Sequence, residues 1–66
     1  MLSQTRQVIR QIENLFGDLY AAEEVETWLR TPQSLLDGRR PLELIEAGRG
    51  ETVIEAVHEI LDGVLT

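Results

Sequence analysis

Apolar residues at Val8, Ile9, Ile12, Leu15, Phe16 and Leu19 recur at helical spacing, while Arg6, Arg10, Glu13 and Asn14 fall on the opposite side. The pattern predicts an amphipathic first helix. Ser3 or Thr5 can cap its start, Gly17 is the natural left-handed residue to end it, and Asp18 stands where it can cap the next. A second helix is predicted at roughly 19 to 30. Ala22, Val25, Trp28 and Leu29 form its apolar stripe, and Glu23, Glu24 and Glu26 lie in its first half, where negative charge suits the helix dipole.

Prolines and glycines punctuate the next stretch. Thr31-Pro32 reads as N-cap plus first helical residue, and Gly38 as the stop after Leu35 and Leu36. Pro41 starts a further short helix carrying Leu42, Leu44 and Ile45, which Gly48 closes. The last helix is expected from Glu51 to Asp62, with Val53, Ile54, Val57, Ile60 and Leu61 on one face and Gly63 as its terminator. The expected fold is therefore all-α, a small bundle of about five short helices joined by tight Pro/Gly turns, forming one domain over residues 1–66. No alternating strand pattern, repeat, low-complexity tract or linker interrupts it.

Composition narrows the function. Twelve acidic side chains stand against six basic ones, all arginine, for a net charge of −6. Affinity for nucleic acid rests on basic side chains that displace counterions, so this balance argues against direct nucleic-acid binding, and equally against anionic membranes. With no cysteine there is neither a disulfide framework nor a thiolate metal cage. The N-terminus carries no apolar signal-peptide core and no run is long enough to span a membrane, so a cytoplasmic protein is expected. A chain this short hides only about 60% of the surface it exposes when unfolded, which favours help from a partner or a second copy.

The charge is unevenly placed. Residues 1–22 hold two arginines and two acids, so the whole excess lies in residues 23–66. In the last helix Glu51, Glu55, Glu59 and Asp62 have no lysine or arginine beside them, and the pairs Glu51/Glu55 and Glu55/Glu59 each cost about 0.2–0.5 kcal/mol. Such a strip is either a solvated face or a surface for a basic partner.

Catalytic chemistry finds no footing. His58 is the single histidine, neither Ser3 nor Ser34 sits in a nucleophile setting, and Gly48-Arg49-Gly50 reads as an interhelical turn rather than a phosphate loop. Glu55-Ala56-Val57-His58 has the Glu-x-x-His spacing of di-iron bundles, but Glu55 points away from the apolar stripe and His58 lies on its margin. The chain is thus expected to be no enzyme and to hold no cofactor or metal. Trp28 reads as a core anchor, and residues 19–47 lack the basic recognition helix of a DNA reader.

The run Trp28-Leu29-Arg30-Thr31-Pro32, then Leu36-Asp37-Gly38-Arg39-Arg40-Pro41-Leu42-Glu43-Leu44-Ile45, then Gly50 and Ile60-Leu61-Asp62-Gly63, resembles the toxin-binding domain of the Xre/MbcA/ParS antitoxins. Leu15-Phe16-Gly17-Asp18 and Ala22 fit the same pattern, so the match covers roughly residues 15–63, with 17–63 as the family-like core and 1–16 as an amphipathic helix and candidate dimerisation element. The resemblance implies a type II toxin–antitoxin system in which this domain binds a RES-fold, NAD+-consuming toxin and covers its NAD+ path with its C-terminal region. An N-terminal Xre-type DNA-binding domain is not in the sequence, and only Val64-Leu65-Thr66 follows Gly63. The expected partner-binding residues are Arg39, Arg40, Glu51, Glu55, Glu59, Asp62, Val64 and Leu65. Val8, Ile12, Leu15 and Leu19 form a stripe long enough to pair with its copy in a homo-oligomer. A helical adaptor with another protein partner, or a dimeric metal-binding bundle, are the competing readings.

Overall fold

The computed structural model describes residues 2–65, with side chains described for residues 4–64. Among the described residues there are four α-helices and one 3₁₀ turn: α1 (Leu2–Phe16), α2 (Ala22–Arg30), the 3₁₀ turn Ser34–Leu36, α3 (Pro41–Glu46) and α4 (Gly50–Leu65). The all-α bundle of about five short helices is what the periodicity predicts. Each element gives apolar side chains to one core: Ile12 and Phe16 from α1, Val25 and Leu29 from α2, Leu36 from the 3₁₀ turn, Leu44 and Ile45 from α3, and Val53, Ala56 and Val57 from α4. The last helix is central to the packing, lying against both α1 and α3.

Gly50 makes a close approach to α1. A Cβ at this position would lie 3.0 Å from Cγ2 of Val8, so the missing side chain lets the start of α4 press directly onto α1.

Several boundaries differ from the sequence expectation, each for a local reason. Helix α1 already runs from Leu2, which places Thr5 inside it rather than at its cap, while the Ser3 side chain lies outside the described residues. Gly17 does adopt the left-handed conformation, φ 55°, and its N–H closes on the Glu13 carbonyl at 3.0 Å. The second helix then starts at Ala22, not at 19, and Asp18 does not cap it. Instead Glu24 reaches back, its Oε1 accepting the Ala21 N–H at 2.9 Å, so the helix is capped by its own third residue. Tyr20 is held in the connection by packing edge-on to Phe16 at 5.1 Å.

Thr31-Pro32 does not open a helix. Thr31 is extended, φ −103° and ψ 132°, its Oγ1 donates to the Thr27 carbonyl, and Gln33 Nε2 closes the end of α2 by donating to the carbonyls of Trp28 and Thr31. Gln33 and Arg39 form an antiparallel bridge around the 3₁₀ turn, with Asp37 and Gly38 both left-handed. At the end of α3, Gly48 at φ 81° sits between two bonds, Gly48 N–H to Ile45 and Arg49 N–H to Leu44, which together make a Schellman stop. Gly63 ends nothing: α4 continues through it to Leu65.

A candidate partner-binding surface

α4 buries Val53, Ala56 and Val57 and turns its other side to solvent. Spacings of four, four and three residues place Glu51, Glu55, Glu59 and Asp62 along that outer side, and all four are exposed. Among the described residues Glu51, Glu55 and Glu59 have no ion-pair partner. The helix therefore displays an exposed acidic strip on a rigid element whose inner face is locked by the core. Val64, half exposed at 51%, belongs to the last helical turn rather than to a loose tail, and its spacing from Val53, Val57 and Ile60 places it on the side of α4 opposite the acidic strip. The Leu65 side chain lies outside the described residues.

Arg39 and Arg40 are exposed in the loop that leads into α3, on a different element from the acidic strip. The chain departs here from the usual Ser or Thr before a helix-starting proline, and the structure supplies the missing cap. Glu43 Oε1 accepts the Arg40 N–H at 3.4 Å, so α3 is closed from inside and the residue before Pro41 is released from capping. Two exposed guanidinium groups can then occupy this loop without costing the helix its start.

The stripe on α1 is distributed differently from the expectation. Ile12 is fully enclosed and Val8 and Leu15 pack against the core, while Leu19, half exposed, lies beyond the end of α1. Val8, Leu15 and Leu19 keep part of their surface in solvent, whereas Ile12 is spent on the domain's own interior. The Glu55 and His58 side chains are both exposed, and among the described residues no group of three or more potential metal ligands converges. No described helix is long and apolar enough to cross a membrane.

One surface was not apparent from the sequence. Phe16, Tyr20, Val25, Trp28 and Ile60 line an open hollow of about 220 Å³ with Glu24 at its edge. Trp28 is half-buried, packing edge-on to Phe16 at 5.6 Å, so it anchors the core and also faces solvent. The available signal was the pair Phe16 and Tyr20 on either side of Gly17, which only a turn at that glycine brings together with Trp28.

The family profile of the antitoxin Xre/MbcA/ParS C-terminal toxin-binding domain matches residues 11–64. The chain belongs to this family. The matched span begins inside α1 and covers every later element, including the acidic strip and Val64. Among relatives of this toxin-binding domain, a probable mycobacterial cidal antitoxin of Mycobacterium tuberculosis (strain ATCC 25618 / H37Rv) is 34% identical over 55 residues, 83% of this chain and 48% of the relative. The chain thus spans about half the length of that relative. No solved structure matches it.

Proposed function

We propose that this domain is the toxin-binding part of a type II antitoxin, and that its partner is a RES-fold toxin that consumes NAD+. Membership of the toxin-binding family over residues 11–64 is the observation that carries this reading. The surface chemistry supports it. A pocket that holds the pyrophosphate of NAD+ is rich in positive charge, and an acidic helix approaches such a pocket quickly and with the right sign. Glu51, Glu55, Glu59 and Asp62, with Val64 and Leu65 in the last turn of α4, are the proposed inhibitory surface, and Arg39 and Arg40 are a second contact from the loop before α3. The domain inhibits by covering the pocket, with no catalytic step of its own.

The test is expression of the neighbouring gene, expected to encode a RES-type toxin, with and without this protein while cellular NAD+ is followed. Protection of the NAD+ pool by the wild-type chain, lost when the four acids are reversed to lysine, is the expected result. Equal NAD+ loss with and without the protein removes the proposal. Unchanged protection by the charge-reversed variant leaves the toxin assignment standing and moves the interface off α4.

A further inference from the structure

The three aromatic side chains of the chain all gather at one place. Phe16 is the buried hub, and Tyr20 and Trp28 stand on it edge-on with part of their surface in solvent. The hollow that they line with Ile60 shares Glu24 and Trp28 with a more open one over α2 that includes Glu23 and Thr27. Among the described residues no arginine lines either hollow. Among the described residues the Glu23 carboxylate has no ion-pair partner, and Glu24 commits one oxygen to the Ala21 N–H and has no ion pair either.

This trough has the attributes of a protein contact. Its deep part, about 220 Å³, is smaller than the roughly 300–1,000 Å³ typical of cofactor pockets and is sized for one or two side chains. Partly exposed Trp and Tyr are the residue types that dominate binding energy at interfaces. A cation placed beside Trp28 would meet an aromatic ring and two carboxylates at once. A second copy of this chain is a poor occupant, because each copy brings a net charge of −6.

We propose that this trough docks an arginine-bearing amphipathic segment of the partner toxin, with apolar side chains against Tyr20 and Ile60 and a guanidinium beside Trp28, between Glu23 and Glu24. The proposal rests on the toxin-binding reading above and adds to it a second contact, since Ile60 belongs to the inner side of α4 and the acidic strip to the outer. The toxin is thereby gripped on both flanks of one helix.

Trp28 is the chain's single tryptophan, so 5-fluorotryptophan labelling gives one ¹⁹F resonance from the middle of the trough. The labelled protein is titrated with the unlabelled RES-fold toxin, and the affinities of Glu23→Lys and Thr27→Arg are measured beside it. Both positions are exposed, and the one hydrogen bond of the Thr27 side chain is local, to the Glu23 carbonyl. Circular dichroism checks that each variant folds. The expected result is a resonance that moves on complex formation and a tenfold or greater loss of affinity in each variant. A complex that forms while the resonance stays in place overturns the trough and leaves the proposed function intact, as does wild-type affinity in both folded variants. Failure of the wild-type protein to bind the toxin at all overturns the proposed function, and the occupant named here with it.

Discussion

Whether α4 stops at Asp62 or runs on to Leu65 decides how the end of the proposed inhibitory surface is presented, and two glycine substitutions test it through opposite signs. Gly63 lies inside the helix with a helical φ, and a Cβ there would meet nothing within 4 Å. Glycine within a helix costs about 0.5–1 kcal/mol relative to alanine, because it loses more backbone freedom on folding. Gly63→Ala should therefore stabilise the domain, toward the lower end of that range since the site is in the last turn. At about 4–8 °C per kcal/mol for a domain of this size, the melting temperature should rise by roughly 2–4 °C. Gly48 also has free space around it, but its φ is 81°. A Cβ in that left-handed conformation costs about 1–2 kcal/mol, which the reduced entropy of the unfolded chain offsets by less than 1, so Gly48→Ala should lower the melting temperature by several degrees. Both variants are read by far-ultraviolet circular dichroism, as thermal melts and urea titrations. A fall in melting temperature for Gly63→Ala would refute the continuous helix, because it would mean that Gly63 is the left-handed terminator that the sequence suggests.

Four further outcomes are expected. Glu55→Lys replaces two i, i+4 repulsions on α4 with two attractions, each worth about 0.2–0.5 kcal/mol, so it should stabilise the domain by roughly 1 kcal/mol in urea titrations while weakening toxin binding. Arg40→Ser puts a better cap before Pro41 and should gain up to about 1 kcal/mol in thermal melts; if Arg40 contacts the toxin, its affinity should fall at the same time. Ile12→Ala empties a fully enclosed site at a cost of about 2–5 kcal/mol, a large share of the roughly 3–10 kcal/mol expected for a 66-residue domain, and urea titration should show a greatly lowered midpoint. Sedimentation at high micromolar concentration should return a monomer, since the α1 stripe spends Ile12 on its own core; a dimer abolished by Leu19→Glu would restore that stripe as a seam.

The helices were legible because each buries a stripe whose period is written into the sequence. Val53 and Val57 lie four residues apart and both are fully enclosed, as a core-facing helical pair must be. The boundaries were less legible, because capping here comes from inside the helices. Glu24 and Glu43 close α2 and α3 by accepting the N–H groups of Ala21 and Arg40, so the signal for each helix start lies inside the helix rather than at Asp18 or at a hydroxyl before Pro41. Gly17 and Gly63 illustrate the limit of reading glycine alone. Gly17 is left-handed, with its N–H closing on Glu13, whereas Gly63 keeps a helical φ within α4. A glycine permits a left-handed turn, but only the contacts made by the chain after it can require one.

The acidic strip was visible from the sequence because helical periodicity alone collects Glu51, Glu55, Glu59 and Asp62 on one side. The aromatic trough was not, because its walls come from α1, the loop after it, α2 and α4, and no periodicity connects them. This difference separates two kinds of surface. A helix whose acids repel one another gives up stability along its own length, whereas Trp28 contributes to the core through Phe16 and leaves its remaining surface for a partner at little cost to folding. If both surfaces bind the same toxin, the strip should govern association rate and salt dependence, and the trough should govern residence time. Charge changes on α4 would then alter the on-rate, and Thr27→Arg the off-rate. Stopped-flow association and dissociation, measured at two ionic strengths, would separate the two contributions.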